Sequence, residues 1–187
     1  MRKLIVVLMS VIVLCSVAFA QQQEEEQAPV NPKKELFAGY SYVHSGLQNY
    51  GLGSAGLSGE LLQATYFLHG NLGARADVMR ATGTNVAQSG VNVSRYTYLF
   101  GPVYAVRSDS TFTPFAHVLF GMDHERFSVS YLGETITKSF AAALGGGVDA
   151  KLGEHFAVRA GQLDYIHTSH GGGENHLRYT AGLVIRF

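Results

Sequence analysis

His176-Leu-Arg-Tyr-Thr-Ala-Gly-Leu-Val-Ile-Arg-Phe187 is the stretch whose alternation decides the fold. Leu177, Tyr179, Ala181, Leu183, Ile185 and Phe187 fall on one side of an extended strand. His176, Arg178, Thr180, Gly182, Val184 and Arg186 fall on the other, because successive side chains of a strand point to opposite faces. One face is apolar and the other carries two arginines. A soluble sandwich turns such charges to bulk water. A membrane barrel reverses the geometry, with the apolar side to lipid and the polar side to the lumen.

The front of the chain agrees with an exported protein. Arg2 and Lys3 precede an apolar run from Leu4 to Val17, followed by Ala18-Phe19-Ala20. A basic start, a short apolar core and an A-x-A site predict a secretory signal peptide over residues 1–20, cleaved after Ala20. The run is short for a membrane span, and the polar stretch Gln21 to Glu26 follows it. Cys15 is preceded by bulky Leu14 and does not read as a lipoprotein cysteine; it leaves with the signal, so no disulfide framework is expected. Residues 21–34 are polar, include Pro29 and Pro32, and read as a disordered periplasmic tether. Residues 35–187 suit one domain. Without Arg2 and Lys3 the chain carries 12 basic residues (14 − 2) and 14 acidic ones, so it has no electrostatic footprint for nucleic acid.

Period-two alternation marks eight segments near 35–43, 60–68, 72–82, 93–106, 113–126, 136–151, 155–167 and 176–187. The connections 44–59, 83–92, 127–135 and 168–175 are long and rich in Gly, Ser and Asn; those near 69–71, 107–112 and 152–154 are short. Alternating long and short connections predict an all-β, eight-stranded antiparallel up-and-down transmembrane barrel with both termini in the periplasm. Most segments reach the roughly 9–11 residues that a tilted spanning strand needs.

Parity sorts the side chains. Tyr96, Tyr98, Phe100, Pro102 and Tyr104 share a face opposite Arg95, Thr97, Leu99 and Gly101. Ala116, Val118, Phe120 and Met122 oppose His117, Gly121, Asp123 and Glu125. The segment 155–167 keeps one register only with a bulge near Gly161-Gln162, which turns Arg159, Gln162 and Asp164 inward. The expected lumen charges are Arg75, Asp77, Arg95, Asp123, Glu125, Asp149, Lys151, Arg159, Asp164, Arg178 and Arg186. An eight-stranded barrel is only wide enough for side chains, so these groups are expected to pair across the lumen, with Gly145 and Gly147 making room for arginines. Tyr104, Phe156 and Phe187 are expected near the periplasmic interface, and Tyr42, Tyr96, Tyr165 and Tyr179 nearer the outer one.

Phe37-Ala-Gly-Tyr-Ser-Tyr42, Tyr98-Leu-Phe-Gly-Pro102, Thr113-Pro-Phe-Ala-His117, Phe140 to Gly147, Asp164-Tyr-Ile-His167 and Tyr179 to Phe187 resemble short outer-membrane β-barrel proteins of Gram-negative bacteria, those of acidobacteria among them. These share the architecture of the OmpA membrane domain, and a last strand ending on an aromatic such as Phe187 is similar to the C-terminal signature of such barrels. The resemblance implies outer-membrane localisation, contact with outer-membrane lipid and lipopolysaccharide, and recognition of the last strand by the barrel assembly machinery. It implies no activity, because fold does not assign function.

Chemistry has two candidate sites. His167 and Ser169, at i and i+2, share a strand face, and a histidine can activate a neighbouring serine. The pair is similar to the His-x-Ser of outer-membrane lipid A 3-O-deacylases. It departs from that family at His170, where an Asn is expected, and in having only Glu174 nearby as an orienting acid. His167, His170, Glu174 and His176, with His124 and Glu125 on another strand end, are competent metal ligands in no defined spacing. The reading taken is a monomeric, non-enzymatic barrel with no metal or cofactor, a plugged, porin-like lumen, and binding loops at Gln48 to Gly59 and Ser169 to Asn175. The alternatives are a lipid A-modifying hydrolase and a narrow channel.

Overall fold

The structure is a computed structural model, and it describes residues 32–46, 54–86, 91–108, 110–129, 133–169 and 173–187. The expected signal peptide lies outside the described residues, as does all but the end of the expected tether. Eight strands follow one another: β1 (Lys34–Gly46), β2 (Ser54–His69), β3 (Leu72–Val86), β4 (Val91–Ala105), β5 (Phe112–Val129), β6 (Gly133–Lys151), β7 (Phe156–Thr168) and β8 (Glu174–Arg186). Each pairs antiparallel with its neighbours, and β1 pairs with β8, so the sheet closes. Closure leaves no free edge, which a backbone in hydrocarbon requires. At the seam Lys34 N donates to the Phe187 carbonyl at 2.9 Å, and Phe187 N donates to that of Lys34 at 3.0 Å.

The strands run further than alternation alone indicates. β5 has 18 residues and β6 has 19, well beyond the roughly 9–11 that span a bilayer. Their ladder continues from Met122↔Phe140 out to Val129↔Gly133. The extra length is at the end away from the termini, where the long connections shrink to residues 47–53, 87–90, 130–132 and 169–173. Ser54 to Gly59 belongs to β2, and Glu174 and Asn175 belong to β8, so the two expected binding loops are shorter than Gln48 to Gly59 and Ser169 to Asn175. Small and β-branched residues such as Ser128 and Thr135 read as loop by polarity, yet they satisfy a ladder once a partner strand is beside them.

At the other end the turns are tight. Gly70 takes φ 52°, left-handed, between His69 and Leu72. In β7 the register shifts around Ala160-Gly161: Arg159 pairs Gly182 and Gln162 pairs Thr180, so two residues oppose Ala181. The bulge resets parity and turns both Arg159 and Asp164 inward. It also frees the Ala160 carbonyl, which accepts from the Tyr179 hydroxyl at 2.9 Å. Tyr179 therefore lies near the middle of β8, tied to the bulge.

The faces are inverted relative to a soluble protein. Phe100 is 63% and Leu144 62% exposed on the outside, whereas Asp164 and Arg178 are 0% exposed within. Apolar side chains also enter the lumen, including Phe37, Leu61 and Met79 in one cluster and Leu99, Leu119 and Ile166 in another.

Candidate functional site

Ten of the eleven expected inward charges are buried in the lumen, where they form three linked layers. Nearest the termini, Arg186 pairs with Glu35 at 2.9 Å and with Asp149 at 3.3 Å. Asp149 also accepts from Arg159 Nε at 2.7 Å. The Arg159 guanidinium sits between the rings of Phe37, at 4.5 Å, and Phe115, at 4.2 Å. Arg159 further donates to Gln63 Oε1, and to Gln162 Oε1 at 2.8 Å. The two glutamines then hand on to the middle layer, donating to Asp77 and Asp164 at 2.9 and 2.8 Å.

In the middle layer Arg178 bridges two carboxylates, with Nε 2.7 Å from Asp164 and a terminal nitrogen 2.9 Å from Asp77. Arg75 donates to His117 Nδ1 at 3.1 Å. An arginine only donates, so Nδ1 accepts, and Nε2 donates to Asp164 at 2.9 Å. Gly145 faces this cluster, and a Cβ there would lie 1.9 Å from Asp164 Oδ1. One at Gly147 would lie 2.9 Å from the Phe115 ring. The two glycines thus accommodate a carboxylate and an aromatic ring, and not the arginines expected from sequence.

The third layer lies toward the loop end. Arg95 pairs with Asp123 at 3.3 Å and with Glu125. It donates to Ser45 Oγ and to His176 Nε2, both at 3.1 Å. His176 Nε2 is therefore an acceptor, and Nδ1 donates to Ser45 Oγ at 2.9 Å. The serine hydroxyl accepts a hydrogen bond from the imidazole instead of donating one, which is the wrong polarity for an activated nucleophile. A buried carboxylate near this layer, Glu174, also has polar company.

Lys151 stands apart from these layers. It is the last residue of β6, half-buried at the mouth, and its flexible stem carries the ammonium to the Ser108 carbonyl. Two buried carboxylates went unassigned by alternation: Glu35, whose strand has a mixed inner face, and Glu174, which fell in an expected loop; His176 lies on the inner face of β8 with Arg178 and Arg186, as alternation placed it. Below the barrel, the half-buried Arg107 packs its guanidinium 4.1 Å from the Phe67 ring and donates to the carbonyls of Gly70 and Pro32. Burial lowers its pKa, with the Glu35 carboxylate acting the other way.

The His-x-Ser pair is not assembled. His167 points outward, and its Nδ1 is 2.8 Å from Asn175 Oδ1. Ser169 Oγ accepts from Phe140 N at 3.2 Å. Glu174 is buried on the opposite face of β8 from Asn175, so the supposed orienting acid and the histidine are on different sides of the barrel wall. Among the described residues no three His, Cys, Asp or Glu converge on a metal position, and His170 lies outside them.

The geometry has close counterparts. Neisserial surface protein A superposes with a TM-score of 0.68 at 13% identity, covering 82% of this chain and 97% of its own. Ail, the attachment invasion locus protein of Yersinia pestis, gives 0.59 at 14% identity, covering 84% and 99%. The N-terminal β-barrel domain of Pseudomonas aeruginosa OprF gives 0.50 at 12% identity, covering 83% and 98%. At such identities the likeness is one of fold. No curated protein sequence matches the chain. The family model of the outer membrane protein beta-barrel domain matches residues 10–187, nearly the whole chain. With a closed eight-stranded sheet, apolar outside and charged within, the chain belongs to that family of outer-membrane β-barrels.

Proposed function

We propose that this protein is a non-enzymatic, monomeric outer-membrane barrel that acts as a structural and surface-presenting element. Its lumen is plugged by ion-paired side chains and its loop end faces outward. In this reading residues 1–20 direct export and are removed, and residues 21–34 tether the barrel on the periplasmic side. One observation carries the plug: Arg75, Arg95, Arg159 and Arg178 are among the largest fully buried side chains, stacked along the axis in hydrogen-bonded layers. A lumen of eight strands has room for little else. An ion crossing it would have to displace charges that already satisfy one another. Similarity of fold to Ail and to Neisserial surface protein A supports a surface role without naming a ligand.

Planar-bilayer recording of the purified protein, its folding checked by a heat-shift gel, tests the plug. The expected result is no stepwise conductance above the lipid baseline. Discrete steps that change size in Arg95→Gln or Glu125→Gln would make it a channel. The hydrolase alternative has its own test: lipid A from cells carrying Ser169→Ala is expected to give the same mass spectrum as with the parent protein. Loss of a hydroxyacyl mass with the parent alone would establish deacylation.

A further inference from the structure

The ladders on the two sides of β6 differ in length. The β5–β6 ladder runs from Phe112↔Ala150 to Val129↔Gly133 without a register shift. The β6–β7 ladder stops at Ala141↔Thr168. One step further, Ser169 N donates to the Phe140 carbonyl at 2.9 Å, and Phe140 N donates to Ser169 Oγ at 3.2 Å. The β7–β8 hairpin turns back at Thr168↔Glu174. Residues 133–139 therefore pair with β5 on one side and, among the described residues, with no strand on the other. Backbone groups of successive residues point to opposite neighbours in an antiparallel ladder. Phe140 points its N–H and C=O toward β7, so Lys138, Ile136 and Glu134 point theirs to the same, open side. Thr137 and Thr135 direct theirs to Glu125 and Phe127 of β5.

The open edge is about 20 Å long. It has no proline and no bulge, two common guards of an exposed strand, and Thr135-Ile-Thr137 is rich in β-branched residues. Ile136 is 56% exposed, and Lys138, between it and the apolar Phe140, is exposed as well. A row of unpaired N–H and C=O groups is a template for another chain. From the unequal ladders we infer that the β6 edge over residues 133–139 is a docking site for an extended segment of a partner protein, which adds to the sheet as an antiparallel strand. The main chain supplies affinity, and alternate side chains supply selection. Lys138 selects an acidic residue opposite it, Ile136 an apolar one, and Thr135 and Thr137 small polar residues on the other face. A second copy held in the same membrane would lay its own β6 alongside in parallel, the weaker pairing, with lysine near lysine. The inference rests on the outward-facing loop end proposed above and gives the surface role a partner chemistry.

The test is a fluorescence-polarisation titration of the protein, purified from outer membranes in detergent, with the labelled peptide acetyl-Thr-Glu-Thr-Val-Thr-Val-Thr-amide. In antiparallel register its glutamate falls opposite Lys138 and its middle valine opposite Ile136. The parent is expected to bind it. Ile136→Pro is expected to bind at least about tenfold more weakly, because proline removes an N–H on the open side and leaves the β5 ladder intact. Ile136→Val is expected to bind like the parent, and both variants to keep the parent's heat shift. Lys138→Glu is expected to prefer the peptide with lysine in place of glutamate, which keeps the inference testable should the proline variant not fold. The peptide N-methylated at the amides that face β6 is expected not to bind. No binding by the parent, or undiminished binding by Ile136→Pro or of the N-methylated peptide, would overturn the site. A parent that dimerises in detergent while Ile136→Pro stays monomeric would assign the edge to a second copy instead. Labelling of Thr135→Cys in intact cells by a membrane-impermeant maleimide tests the orientation separately. Peptide binding in detergent without such labelling would sink the outward-facing reading and leave the edge standing, so the two failures are distinguishable.

Discussion

Replacing Arg178 by leucine is the most direct probe of the lumen. The guanidinium lies 2.7 Å from Asp164 and 2.9 Å from Asp77, and none of the three side chains is more than 1% exposed. The substitution strands two buried carboxylates. Each retains neutral donors, Gln63 for Asp77, and His117 and Gln162 for Asp164. Removing one partner of a buried ion pair costs about 3–5 kcal/mol, and the surviving donors argue for the middle of that range. Urea unfolding in phosphatidylcholine vesicles, followed by circular dichroism and by the heat-shift gel, is expected to show a loss of about 4 kcal/mol. The triple variant Arg178→Leu/Asp164→Leu/Asp77→Leu is expected to recover only part of it, because it removes the stranded charges but leaves the buried donors of Gln63, His117 and Gln162 without their acceptors. If Arg178→Leu falls within about 1 kcal/mol of the parent, the pair behaves like a solvated surface salt bridge. The lumen would then be wet, and the argument for a plug would fail.

Two glycines give further tests in the same unfolding assay. Gly145→Ala puts a Cβ 1.9 Å from Asp164 Oδ1 and 2.7 Å from the Leu163 carbonyl; overpacking of this kind costs about 1–3 kcal/mol, and an unchanged midpoint would contradict the packing described. Gly70→Val meets no atom within 4 Å, so its cost is conformational alone, about 1–2 kcal/mol for a left-handed residue, while Gly70→Asn is expected to retain most of the stability.

Much of the fold was legible because period-two alternation is strong wherever one face is wholly apolar. β8, β5 and β4 are of this kind, and even the bulge in β7 announced itself as a parity break between Phe156 and Tyr165. β1 and β2 are less readable. Leu57, Leu61 and Phe67 face inward while Leu62, Tyr66 and Leu68 face outward, so both faces are apolar and parity carries no sign. Strand ends were underestimated for a related reason. Ser, Thr and Gly toward the loops resemble connection residues until a neighbouring strand gives their amides a partner. The hydrolase pair at His167 and Ser169 was visible as a spacing, but spacing does not fix hydrogen-bond partners. Asn175 and the Phe140 amide take them.

The sequence by itself determined that the chain alternates an apolar and a charged face over eight segments, because side-chain direction along a strand is a local property of the backbone. Which charge meets which was decided only by the closed barrel. Arg178 bridges Asp77 and Asp164 across intervals of 101 and 14 residues. Such contacts exist only once β1 has closed on β8 and fixed the stagger of every strand. The same closure aligned Arg80 with Tyr96 and His124 with Lys138 into rows on the outer wall, a pattern that follows from register between strands and from no property of any one of them.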